Sequence, residues 1–137
     1  MIALDTNILA RAIVQEAEPD EATQRQQAAA QALLASGQAS FLPVTVLQEL
    51  EWVLRGVYQL PRDQVLGVIE DLLMIEHLLV DRAAAAAEAV ERYRQGMDFS
   101  DALHLVQSRH CDSMASFDSQ FCKLAEKLGS QPAVMSA

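Results

Sequence analysis

Met1-Ile2-Ala3-Leu4-Asp5-Thr6-Asn7-Ile8-Leu9 joins two kinds of local order within nine residues. Residues 1–4 are a short apolar run that stops at Asp5, Thr6 and Asn7, types that favour turns and helix caps. Ile8, Leu9, Ala12 and Ile13 then recur at helical spacing, until the polar residues 15–20 break the pattern around Pro19. A buried strand that hands over directly to a helix is the building unit of α/β domains.

The same unit recurs downstream. Residues 21–35 are good helix formers stopped by Ser36 and Gly37, and residues 39–42 are a second short apolar run. Pro43 and Thr45 sit where that strand passes into a helix, whose apolar stripe is Val46, Leu47, Leu50, Val53, Leu54 and Val57. Pro61 opens another helix through Val65, Ile69 and Leu72, followed by a strand at 77–80. The alanine-rich residues 81–94 form a helix by propensity, ended by Gly96. Asp98-Phe99-Ser100-Asp101 begins a helix that runs to about Cys111. A strand at 114–116, a helix at 118–128 stopped by Gly129, and an apolar piece at 133–135 complete the chain. The alternation predicts an α/β fold in three layers, a mainly parallel central sheet with helices on both faces.

A length of 137 residues fits one domain, residues 1–137, and 51% hydrophobic residues supply a core, which excludes disorder as the main state. The net charge of −9 argues against tight nucleic-acid binding through charge alone, so a polyanion needs a cation to help it bind. No stretch approaches the ~20 apolar residues of a membrane span, and Asp5 interrupts the start, so a soluble, cytoplasmic protein without membrane contact is expected. Cys111 and Cys122 show no metal-binding spacing and are expected to be free thiols or half-buried small hydrophobes.

Ligands of open parallel sheets bind beyond the carboxyl ends of the strands. Asp5 follows the first strand, Asp118 follows the fourth, Asp101 heads the helix before it, and Glu49 lies near the start of the helix after the second. Converged carboxylates repel one another unless neutralised, and an all-oxygen donor set suits Mg²⁺ or Mn²⁺. His77, His104 and His110 show no zinc-type pair. Two divalent ions held in this way favour in-line phosphodiester hydrolysis. Each acid also has a plainer role. Asp5 and Asp118 suit helix caps, while Asp98 with Asp101 resembles a capping box. Glu49 is expected beside the buried stripe of its helix, with Glu51, on a more polar flank, as its competitor.

Ala3-Leu4-Asp5-Thr6-Asn7-Ile8-Leu9, Val44-Thr45-Val46-Leu47-Gln48-Glu49-Leu50, Asp98-Phe99-Ser100-Asp101-Ala102-Leu103 and Ser116-Phe117-Asp118-Ser119-Gln120-Phe121 resemble, in order, the motifs of PIN-domain ribonucleases. Within that group the chain is most similar to VapC, the toxin of bacterial type II toxin-antitoxin pairs. The resemblance implies Mg²⁺- or Mn²⁺-dependent RNA cleavage, a homodimer, and a VapB antitoxin that blocks the site and links the toxin to operator DNA. It assigns catalysis and metal binding to Asp5, Glu49, Asp101 and Asp118. Thr6 and Asn7 are implied to support the first acid by hydrogen bonds, and Ser116 and Asp98 to stand in a supporting shell. Arg11 and Arg55 are candidates either for RNA contact or for a solvated helix face. Trp52 is a candidate for base stacking but is expected in the core or at a dimer contact.

Two rival readings come from other classes. Aspartyl phosphoryl transfer is disfavoured, because Asn7 stands where a second acid is wanted and the only lysines, Lys123 and Lys127, lie on the last helix. A catalytically inactive binding module, working only in complex with a partner or operator DNA, is the alternative that metal titration separates.

Overall fold

The apolar start of the chain forms strand β1 (Ile2–Ala3), and Asp5 caps the helix that follows it, α1 (Thr6–Ile13). The computed structural model describes residues 1–137 in two compact units, residues 1–83 and 84–137.

In the first unit α1 leads to α2 (Glu21–Ala35), β2 (Ser40–Leu42), α3 (Val44–Trp52), a π-helical turn (Val53–Val57), α4 (Arg62–Leu73) and β3 (Leu78–Val80). The sheet order is β1-β2-β3, parallel throughout, with Ile2 opposite Ser40 and Ser40 opposite Leu78. Parallel neighbours need crossover connections, which the helices between them provide. Leu9, Leu42, Leu47, Leu50, Leu54, Val65 and Ile69 are fully buried, each worth roughly 1.5–3 kcal/mol of transfer free energy. His77 Nε2–H donates to the Leu34 carbonyl at 2.8 Å, tying the approach to β3 to the end of α2.

The second unit contains α5 (Ala83–Arg94), α6 (Phe99–Gln107), β4 (Ser113–Ser116), α7 (Ser119–Lys127) and β5 (Ala133–Ser136). β4 and β5 pair in parallel, from Ser113 opposite Ala133 to Ser116 opposite Ser136. Tyr93 and Phe99 meet edge to face, with ring centroids 5.5 Å apart, and both are buried. α7 ends in a Schellman turn: Ser130 N–H donates to Ala125 O and Gly129 N–H to Glu126 O, with Gly129 at φ 63°. Gly96 ends α5 in the same way, with Met97 N–H on Arg92 O. Both glycines are the stops that the sequence indicates. No helix is long and apolar enough to cross a membrane.

The α/β class, the parallel pairing and the order of elements agree with the sequence. The five strands fall into a three-stranded and a two-stranded sheet. The exception concerns one helix. The stripe expected to run unbroken to Val57 gives way to the π-helical turn at Val53, where Tyr58 N–H reaches back to Val53 O. Its buried line is Val44, Leu47, Glu51 and Leu54, and the opposite line, Thr45, Glu49 and Trp52, faces solvent. Trp52 is therefore not a core residue: it is 59% exposed, on the wrong side of its helix for the core. Glu51 is not on a polar flank either, being 1% exposed and paired with Arg55 Nε at 2.8 Å. Glu49, expected beside the stripe, is exposed.

Candidate active site

At the head of α1, Asp5 Oδ1 accepts the Thr6 backbone N–H at 2.8 Å, which fixes the carboxylate while it stays exposed. Asp5 and Glu49 both line a cleft of about 650 Å³ in the first unit. Ala30, Leu33 and Val53 give it apolar lining, and Arg11, Gln26 and Tyr58 give it polar lining. The volume lies within the range of small-ligand sites, and mixed apolar and polar walls are typical of them. Packing of α1 against α2 and α3 is what brings these residues together.

Thr6 supports Asp5 through its backbone, whereas its side-chain hydroxyl is buried and has no hydrogen-bond partner. Asn7 lines the cleft and is exposed. Arg11 is committed within the protein: Nε–H donates to Gln26 Oε1 at 2.8 Å, while one terminal nitrogen pairs with Glu16 at 3.1 Å and reaches the Tyr58 hydroxyl at 3.5 Å. Arg55 engages Glu51.

In the second unit Asp98 caps α6, accepting the Asp101 N–H on Oδ1 at 3.2 Å, so the capping-box reading holds for its first member. Asp118 caps α7 by accepting the N–H groups of Gln120 and Phe121 at 3.0 and 3.1 Å. The Ser116 hydroxyl accepts the Asp118 N–H at 3.0 Å, a supporting contact of the kind expected of it. Burial raises the Asp101 carboxyl above its ordinary pKa, and the charges of Asp98 and Asp118 raise it further, against a smaller opposing effect of His104. The three acids of this unit thus interact as like charges that a cation would relieve.

Asp5 and Glu49 therefore share one cleft, and Asp98, Asp101 and Asp118 share one electrostatic environment. Nowhere do three or more His, Cys, Asp or Glu side chains stand together in ligating positions. The donor chemistry nonetheless fits a hard divalent ion, since the acids offer only oxygens and the unpartnered Thr6 hydroxyl lies next to the first of them. Sequence reasoning missed Gln26 and Tyr58. Gln26 is one of several glutamines on α2, and only packing against Arg11 distinguishes it. Cys111 and Cys122 are free thiols, as their spacing indicates.

The fold is a parallel α/β protein in which Asp5, Asp98 and Asp118 cap helices and Asp5 and Glu49 edge one cleft. The chain belongs to the PIN domain family, whose model matches residues 2–127. PIN domains are generally metal-dependent nucleases, and a nuclease-type function follows for this chain. Neither curated proteins nor solved structures give a match.

Proposed function

We propose that the chain is a Mg²⁺- or Mn²⁺-dependent endoribonuclease, the toxin of a VapBC-type pair, hydrolysing RNA phosphodiester bonds in the cytoplasm. The observation that carries this reading is the family match over residues 2–127, which includes every acid at a motif position. Asp5, Glu49, Asp101 and Asp118 are the residues assigned to hold the metal. When bound, the cation lowers the pKa of an attacking water and offsets charge on the leaving oxygen.

The chain's own residues prepare for this. Thr6 N–H holds Asp5 by one oxygen, and the α7 N–H groups hold Asp118 by Oδ1, so each carboxylate keeps a fixed direction with its other oxygen to offer. Ser116 fixes the backbone at Asp118, and Asp98 fixes the first turn of α6, which carries Asp101. Cation charge also offsets part of the −9, so RNA binding is weak without metal and falls steeply with salt. An antitoxin arginine placed among the carboxylates would pair with them and exclude metal, since its planar fork matches carboxylate geometry. A homodimer, and operator binding only through the antitoxin, complete the proposal.

The test is sequencing of RNA ends after brief expression of the chain, with Asp5→Asn as the control. New ends and growth arrest are expected from the parent only. Equal cleavage by the variant would refute the assignment.

A further inference from the structure

Trp52 is the chain's single tryptophan, and at 59% exposure it is far more open to water than an aromatic of its size is in a packed core. It belongs to the outward line of α3, three residues after Glu49, so one helical turn separates it from an acid that edges the cleft. Val53, the next residue, lines that cleft as well. The indole lies along Gly56: a Cβ there would stand 3.8 Å from Cε2 and 4.0 Å from Nε1. With no side chain at Gly56, the helix backs the ring closely on one side while the rest of it stays open to solvent.

Of the residues three or four positions away, Gln48, Glu49, Arg55 and Gly56, none is a large apolar group. The core of a protein–protein interface is depleted in charge, so these surroundings favour an occupant that is flat and apolar on its faces and polar at its edges. A nucleotide of single-stranded RNA has that character, and bases stack on exposed aromatic rings whatever their identity. We propose that Trp52 is a stacking platform for an RNA base next to the phosphate held at the cleft of Asp5 and Glu49, a contact that positions the strand without reading its sequence. The inference rests on the ribonuclease reading for its substrate class and adds where a base is held.

Because the chain has no other tryptophan, Trp52 fluorescence reports the platform directly. The test mixes the chain in Mg²⁺ with a randomised single-stranded RNA oligomer, or with an abasic ribose-phosphate oligomer of equal length, and reads the emission before turnover. Saturable quenching by the RNA, and none by the abasic oligomer, is expected. Cleavage of the RNA in Mg²⁺ is followed in parallel for the parent, Trp52→Phe and Trp52→Leu. Trp52→Leu should raise KM at least about fivefold, the loss of one stacked base, with a smaller change in kcat, and Trp52→Phe should lose less because it keeps a ring. Equal quenching by the two oligomers, or an unchanged KM in Trp52→Leu, would overturn the platform. Emission that changes with protein concentration but not with RNA places Trp52 between two copies of the chain and overturns it too. RNA cut without quenching removes the platform and leaves the nuclease standing. Quenching by an uncut RNA does the reverse, and the absence of both removes both.

Discussion

Replacing Arg55 by leucine separates a structural arginine from one that touches RNA. Its guanidinium meets a carboxylate, Glu51, whose side chain is 2% exposed, at 2.8 Å, while the arginine itself is 40% exposed. Breaking a fully buried pair costs about 3–5 kcal/mol, and a hydrogen bond to a charged group is worth about 1.5–3 kcal/mol. Water reaches the Arg55 side, so the expected loss is at the lower end, about 2 kcal/mol. An unfolding entropy of about 2.1 cal/mol/K per residue, over 137 residues, converts this to a fall in Tm of about 7 °C.

Arg55→Leu combined with Glu51→Leu removes the buried charge together with its exposed partner and should return stability to within about 1 kcal/mol of the parent. Calorimetry of the parent, both single variants and the double variant gives the coupling directly. The double variant should also keep the parent's dependence of single-stranded RNA affinity on salt. If Arg55 neutralised a phosphate, the slope against log salt would instead drop by about 0.7. Arg55→Leu as stable as the parent, or a double variant as unstable as Arg55→Leu alone, would show that Arg55 does not stabilise the fold through Glu51.

Asp101 carries a pH prediction. Its native pKa is raised above an ordinary value near 3.8, so the folded chain holds that proton more tightly than the unfolded one. Its contribution therefore favours folding at low pH and fades as pH rises through 3.8 to the native value. Asp101→Asn should match or exceed the parent in Tm at pH 7, by under about 1 kcal/mol after solvent screening, and should lose RNA cleavage. A clear loss of Tm at pH 7 would contradict this. At Asp118, alanine removes the acceptor for two N–H groups of α7 and should cost about 1 kcal/mol in urea unfolding, whereas asparagine keeps the cap and loses only the charge. Equal stabilities for the two variants would show that the cap is not what holds this turn. Gly129→Ala should destabilise by about 1–2 kcal/mol, because an L side chain is strained at φ 63°, and urea unfolding of that variant measures it.

Much of the fold is legible because its signals are local. Asp5, Asp98 and Asp118 start helices, Gly96 and Gly129 end them, and short apolar runs between these points become parallel strands. What escapes is the face that one short helix turns inward. Leu47, Leu50, Val53 and Leu54 give an apolar stripe broad enough to leave its centre open, and the π-helical turn at Val53 changes the phase beyond it. Burial of Glu51 beneath Arg55, and exposure of Trp52, follow from that phase and from a neutralised charge that periodicity alone does not report.

Asp5 and Asp118 are legible for the same local reason: a carboxylate that caps a helix after a strand stands in the place from which an α/β fold presents ligands, whereas Asp101, in the first turn of a helix that follows another helix, and Glu49, within α3, are marked by their motifs. Gln26 and Tyr58 are not, since α2 shows little contrast between its faces and only packing brings both to Arg11.

Calorimetric titration of the purified chain with Mn²⁺, repeated on Asp5→Asn and on Asp101→Asn, shows whether these carboxylates hold a divalent ion. Saturable binding by the parent and its loss in each variant are expected, with both variants folded by circular dichroism. Undiminished Mn²⁺ binding in either folded variant would contradict the assignment of that carboxylate to the metal.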